Sequence, residues 1–323
     1  MSKNQYTYAV ARIRALEVSL FSASTIEQLM ACKDEESCLR FLADKGWGGG
    51  DTPLDADAIL AREKEKIWET IGEMHVDMDV FDVLSYADDF HNLKAAVKEV
   101  CTGKSGGSVF YERTSIPKDE MLRIIHEKDY GALPESMRDA ASEAVDTLLR
   151  SRDGQLCDVI IDRAALEAIL EAGRRSKEGV IRDYAESTAA VTDIKIAVRC
   201  ARTGKSLEFM RRAMAPCPGL DVEQLAHAAL AGEDSVVEYL QENGYEEAAE
   251  ALKESASAFE RWCDNRVIRA VRPQKYNSFS AGPLVAYVIA RENEIKTVRI
   301  ILTGRQNDLP DDAIRERIRE MYV

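Results

Sequence analysis

The sequence has no long apolar run. Its most hydrophobic stretch, Leu284 to Ala290, falls far short of the roughly 20 residues that a bilayer-crossing helix needs. Residues Met1 to Gln5, followed by Tyr6, carry no apolar signal-peptide core, so neither direct membrane insertion nor export is expected. Basic charge is in deficit. There are 43 Lys and Arg against 57 Asp and Glu, a formal net charge of −14, and a chain that grips phosphates needs a basic stripe. Nucleic acid is therefore not an expected partner. The four histidines (His75, His91, His126, His227) are isolated and form no H-x-x-H or H-E-x-x-H pair. The seven cysteines (Cys32, Cys38, Cys101, Cys157, Cys200, Cys217, Cys263) are odd in number and never spaced C-x-x-C. Structural zinc is thus not expected, and the thiols read as reduced, buried small hydrophobes. No G-x-S-x-G elbow occurs. Period-2 alternation of β-branched residues is scarce as well, which leaves little material for a sheet.

Helix formers fill the space left by these absences. Apolar residues make up 46% and charged residues 31% of the 323 positions, a composition that folds rather than stays disordered. The length suits two or three domains. Ser24-Thr25-Ile26-Glu27 and Asp221-Val222-Glu223-Gln224 read as capping boxes, and Asp308 before Leu309-Pro310 reads as another helix start. Breaks are expected at Gly48-Gly49-Gly50, from Gly103 to Ser108, from Ala215 to Gly219 and around Asn277 to Gly282. About fourteen helices and no sheet follow. The expected class is all-α.

A repeat runs through this pattern. Asn92-Leu93-Lys94-Ala95-Ala96-Val97-Lys98 precedes Thr102-Gly103-Lys104, and Asp193-Ile194-Lys195-Ile196-Ala197-Val198-Arg199 precedes Thr203-Gly204-Lys205. Glu294-Ile295-Lys296-Thr297-Val298-Arg299 precedes Thr303-Gly304-Arg305. Lys94, Lys195 and Lys296 fall 101 residues apart each time. Each copy follows an amphipathic stretch bearing a tyrosine, at Tyr86, Tyr184 and Tyr287. Weaker echoes end in Gly46-Trp47 and Gly244-Tyr245, read as aromatic core plugs. The chain is expected to be a triplication, with a first helical lobe over 1–110, a second over 111–214 and a third over 215–323.

Two motifs imitate chemistry. Gly103-Lys104-Ser105 and Gly204-Lys205-Ser206 resemble the tail of a phosphate-binding loop. The glycine that such a loop needs five residues earlier is replaced by Lys98 and Arg199. Gly103, Gly204 and Gly304 read instead as left-handed C-caps of helices. Asp88-Asp89-Phe90-His91-Asn92 resembles an Asp-rich magnesium clamp, but the other copies carry Ala190 and Arg291 at the matching place. No catalytic residue, cofactor site or metal site is assigned. Lys94, Lys195 and Lys296 read as interhelical ion pairs or solvated charges that set lobe packing, against direct contact with a partner.

Three segments together resemble the C subunit of the V/A-type ATP synthases, a relative of the d subunit of eukaryotic V-type pumps. They are Tyr6 to Glu17, Tyr86 to Lys94, and Pro283 to Tyr287 followed by Arg291 to Arg299. The middle copy departs, with Asp193 where the first has Asn92. The resemblance implies a funnel of three helical lobes about a pseudo-threefold axis. It further implies a non-catalytic central-stalk component that joins the rotary shaft to the cytoplasmic face of the membrane rotor ring. Such a component would be held at the membrane through the complex and would need no cofactor. Two other classes share parts of the pattern: a helical-repeat scaffold unrelated to rotary pumps, and an all-α enzyme using Asp88 and Asp89.

Overall fold

The computed structural model describes residues 6–104 and 110–323. Among them are sixteen α-helices and no strand, the nearest approach to β-structure being a single bridge between Cys217 and Leu220. In order they are α1 (Thr7–Glu17), α2 (Ala23–Met30), α3 (Glu35–Asp44), α4 (Ala56–Gly72), α5 (Asp82–Thr102), α6 (Lys118–Glu127), α7 (Glu135–Ser151) and α8 (Gly154–Arg175). There follow α9 (Gly179–Thr203), α10 (Leu207–Ala213), α11 (Val222–Ala231), α12 (Glu233–Glu242), α13 (Glu246–Glu254), α14 (Ala256–Val271), α15 (Gly282–Gln306) and α16 (Asp311–Arg315). The all-α expectation holds over these residues.

The chain divides into two compact units. One, the middle unit, comprises Asp79–Lys177 and Ala185–Tyr245. In it α5 packs against α6, α7 and α8, while α10 bridges α8 and α11. Its core holds Phe90, Leu93 and Val97 of α5 against Met121, Ile124, Ala141, Ala144, Cys157 and Ile161. The other, the terminal unit, is drawn from both ends of the chain: Met1–Met78, Glu178–Tyr184 and Glu246–Val323. There α15 is the axis, with α1, α3, α4, α14 and α16 laid against it. Leu284, Val285, Ala286, Val288, Val298 and Ile301 are all fully enclosed. The opening stretch of α15, residues 282–290, is apolar and buried around its whole circumference, which suits a central position rather than a surface one.

Local signals hold in part. Asp221 caps α11, accepting from the Glu223 and Gln224 amides at 3.1 and 3.0 Å. The first cap falls two residues earlier than expected: Ser22, in extended conformation, accepts from Thr25 N–H at 3.3 Å, and Ser24 is already helical. Asp34 and Ser37 form a reciprocal box at the head of α3 that the S/T-x-x-E pattern does not describe. Asp308 does not start a helix. It sits at φ +50°, and α16 begins after Pro310. The breaks at Gly48-Gly49-Gly50 and at Gly219 carry left-handed glycines, whereas Ser105 to Ser108 lie outside the described residues.

Of the three repeated glycines, two are caps and one is not. Gly103 ends α5 at φ +67° with its N–H on Glu99 O at 2.9 Å, and Gly204 follows α9 at φ +62°. Gly304 instead lies inside α15, which continues to Gln306. A methyl group there would stand 2.6 Å from Cγ1 and 2.7 Å from Cδ1 of Ile314 on α16. Its lack of a side chain serves a close helix approach, not a left-handed turn. Gly304→Ala should therefore destabilise the protein by about 1–3 kcal/mol in urea unfolding, through overpacking. Ile314→Ala should recover part of that loss when combined with it, because the two changes act on one gap. Strict additivity of the pair would refute the account.

Candidate functional site

Three of the long helices, α5, α9 and α15, each carry one polar side chain at the same point of the 101-residue spacing. Asn92, Asp193 and Glu294 are 0%, 0% and 2% exposed. A polar group sealed from water must find a partner or be strongly destabilising. All three find the same kind, a backbone N–H of a connecting segment. Asn92 Oδ1 accepts from Tyr111 N–H at 2.8 Å, while its amide donates to Tyr111 O at 2.8 Å and Thr114 Oγ1 at 3.1 Å. Asp193 Oδ1 accepts from Ala215 N–H at 3.1 Å. Glu294 Oε1 accepts from Phe21 N–H at 2.9 Å. Loop backbone that would otherwise bury an orphan donor is thereby fastened to the middle of a long helix.

Neighbouring residues extend each fastening differently. In the middle unit, Asp89 accepts from Ser115 N–H at 2.6 Å and from Ser85 Oγ at 3.2 Å, so a second side chain of α5 holds the same loop. Asp88 is exposed and Asp89 buried, so the two carboxylates do not converge on one ligand. Among the described residues, no group of three or more His, Cys, Asp or Glu is placed to hold a metal ion. In the terminal unit, Glu294 Oε2 accepts from Arg291 at 2.6 Å, and Arg291 also pairs with Glu63 of α4. Glu63 in turn accepts Gly48 N–H at 2.8 Å and Lys66 at 2.7 Å. The Arg291 guanidinium lies 5.2 Å from the Trp47 ring, which stacks on Phe21 at 5.1 Å. Burial alone would lower the Arg291 guanidinium, but Glu294, Tyr287 and Glu63 outweigh it and hold it above its ordinary value.

The repeated lysines lie on the outer side of the same helices. Lys94 reaches Asp162 of α8 at 2.6 Å, and Lys296 reaches Asp264 of α14 at 2.6 Å. Both bonds join a long helix to a neighbour, but the side chains are partly or half exposed, where such pairs contribute about 0–1 kcal/mol. Asp264 also receives Arg319 at 2.7 Å, and these two cations hold its carboxyl below the usual range against the upward push of burial. Lys195 is half-buried in α9. Tyr287 is buried and Tyr86 and Tyr184 half-buried; burial raises the phenols of Tyr86 and Tyr287. Trp47 and Tyr245 are core residues behind left-handed Gly46 and Gly244. Trp47 N–H bonds Leu42 O at 3.0 Å and Tyr245 N–H bonds Leu240 O at 2.9 Å, two copies of one helix exit.

Sequence reasoning missed the Glu63–Arg291–Glu294 cluster and the Asp89 fastening. A signal existed: Arg291 and Glu294 stand on helical faces otherwise filled by Tyr287, Val288, Ile295 and Val298. A charge in that phase implies a buried partner. Arg291 gave no hint that the partner would be Glu63, 228 residues away.

These three fastenings belong to a helical chain that stiffens its own connections, with no reacting constellation among them. Residues 9–317 match the family described as ATP synthase (C/AC39) subunit, and the chain belongs to that family. Within it, the relatives are C subunits of V-type ATPases and A-type ATP synthases. The C subunit of the V-type sodium ATPase of Enterococcus hirae is 22% identical over 319 residues, covering 96% of this chain and 97% of that one. The C subunit of the A-type ATP synthase of Methanocaldococcus jannaschii is 22% identical over 346 residues, covering 96% and 85%. That of Haloferax volcanii is 26% identical over 168 residues, about half of each chain.

Burial pushes the Asp193 carboxyl from 3.8 up to about 7, with the Ala215 N–H and Arg163 opposing; the Cys217 thiol is its other near neighbour, at 4.0 Å. A folded-state value above the unfolded one means that the folded protein binds the extra proton. The contribution of this one carboxyl to stability is then full below 3.8 and falls by a few kcal/mol as pH rises to about 7. Asp193→Asn, which keeps the acceptor and copies position 92, should flatten that decline in urea unfolding followed against pH. An unchanged slope would refute it. Arg291→Met should cost about 3–5 kcal/mol, since two carboxylates lose their buried partner, whereas Lys94→Ala should cost no more than about 1 kcal/mol. Equal losses in chemical denaturation would overturn that ranking.

Proposed function

We propose that this protein is the central-stalk component of a V/A-type ATP synthase or ATPase, joining the rotary shaft to the membrane rotor ring. The observation that carries the reading is the family match across residues 9–317. In this reading the chain is a funnel of three similar helical lobes about a pseudo-threefold axis, with lobes over 1–110, 111–214 and 215–323. The recurrence of one buried polar fastening at Asn92, Asp193 and Glu294 supports it. So does the ion pair that recurs from Lys94 to Asp162 and from Lys296 to Asp264. Tyr86, Tyr184, Tyr287, Gly103, Gly204 and Gly304 act as structural positions of the repeat, and Lys195 is the middle lobe's counterpart of the two paired lysines.

A part that transmits torque must resist shear. Close-packed helical cores do so, and loops fastened to long helices remove the softest elements of the assembly. One surface of the funnel receives the foot of the shaft and the other rests on the cytoplasmic face of the ring. No helix among the described residues is long and apolar enough to cross a membrane, so in this reading protein contacts keep the chain at the bilayer. The torque is shared over many contacts rather than a few dominant ones.

The test is reconstitution. Membranes carrying the complex without this chain should keep ATP hydrolysis in the detached head while losing ATP-driven ion uptake into vesicles. Adding the purified protein should restore uptake, and the protein should be recovered bound to shaft and ring proteins in mild detergent. Uptake that is indifferent to the chain would defeat the proposal and favour a free helical scaffold.

A further inference from the structure

Two thiols meet where α2 turns into α3. Helix α2 ends at Met30 and α3 starts at Glu35, capped by Asp34. Cys32 lies in the turn and Cys38 in the first turns of α3. The Leu29 carbonyl accepts both Cys32 N–H, at 3.1 Å, and the Cys38 thiol, at 3.8 Å. The Cys32 thiol is turned to the next carbonyl back, Gln28 O, at 3.8 Å. The two thiols thus donate to adjacent carbonyls at one helix end, which gathers them at the same point of the turn. Cys32 is partly exposed and Cys38 fully buried, which gives one thiol open to a reagent and one positioned behind it.

We propose that Cys32 and Cys38 form a dithiol–disulfide couple, oxidised by exchange with a low-molecular-weight disulfide such as oxidised glutathione. The Cys32 thiolate attacks one sulfur of the small disulfide, forming a mixed disulfide and releasing one thiolate. Cys38 then gives its proton to water, and its sulfur attacks Cys32 Sγ. The bond to the small thiol breaks and a second thiolate leaves. Two protein thiols are oxidised by two electrons, and one small disulfide is reduced to two thiols. Burial first, and the Cys32 neighbour second, keep Cys38 protonated by raising it to about 12. Cys32 is therefore the entering nucleophile and Cys38 the slower, resolving one.

The cross-link acts on more than the turn. Met30, at the end of α2, offers its carbonyl to Arg305 of α15 at 2.6 Å, and Glu27 of α2 pairs with Arg315 at 2.6 Å. Joining Cys32 to Cys38 ties that edge of α2 covalently to α3. Cys101 and Cys157 are also electrostatic neighbours, so they serve as an internal control for selectivity.

The experiment exposes the whole native protein to glutathione buffers of graded oxidation, traps free thiols with an alkylating reagent and maps the tryptic peptides by mass spectrometry. Cleavage after Lys33 separates the two cysteines, so their disulfide survives as a linked peptide pair lighter by two hydrogen atoms. The expected result is that this pair forms first, disappears with dithiothreitol and is lost in Cys32→Ser, whose substituted position is partly exposed. Cys32→Ser should also abolish the rise in melting temperature expected of the oxidised protein. A stable glutathione adduct at Cys32 without the link would overturn the proposal. So would a Cys101–Cys157 link that appears at the same or milder oxidation.

Discussion

A carboxylate or amide in the middle of a sealed helix is the constraint around which this protein is arranged. Asn92, Asp193 and Glu294 are almost wholly withdrawn from water, and leaving any of them unbonded would cost a desolvation penalty comparable to a large share of a domain's net stability. Each therefore dictates where a loop must run: residues 111, 215 and 21 bring an N–H to within bonding distance. The core packing is non-directional and would tolerate shifts of the connections. The polar bonds would not, because they are short and angular. Hydrophobic burial supplies the cohesion, and these three positions supply the register.

Much of this is legible in the sequence, though unevenly. The 101-residue spacing puts Lys94, Lys195 and Lys296, and with them Asn92, Asp193 and Glu294, on matching turns of three long helices. Periodicity is a property of a single segment, so it survives without knowledge of partners. What periodicity cannot carry is the identity of the group on the other side of a contact. Gly304 looks like its two counterparts because a glycine after an apolar helix has two uses, and only Ile314 pressing on it distinguishes them. Ser22 and Ser24 differ by two residues and share a preference for the cap. The choice between them depends on where the chain leaves α1, a tertiary matter.

The terminal unit shows how much a single charged cluster can bind together. Arg291 lies between Glu63 and Glu294 and faces Trp47, which lies on Phe21. Through that set α4, the glycine turn at 48–50, the start of α2 and α15 are all referred to one guanidinium. Its planar, five-donor geometry allows several partners at once, which a lysine ammonium does not match. The middle unit solves the same problem with neutral or single acids, Asn92, Asp89 and Asp193. Matching places on the three helices thus need only share the act of accepting an amide hydrogen.

That the terminal unit is assembled from Met1–Met78 and Glu246–Val323 has a bearing on biosynthesis. A ribosome emits the opening helices long before α15, the element they pack against, exists. At elongation rates of about 5–20 residues per second, the nascent segment waits on the order of ten seconds or more with its apolar faces uncovered. The strong charge on those early helices, such as Glu35, Glu36, Arg62, Glu65 and Glu69, keeps them dissolved while they wait. Completion of this unit thus waits for α15 to leave the tunnel and meet the helices made before it.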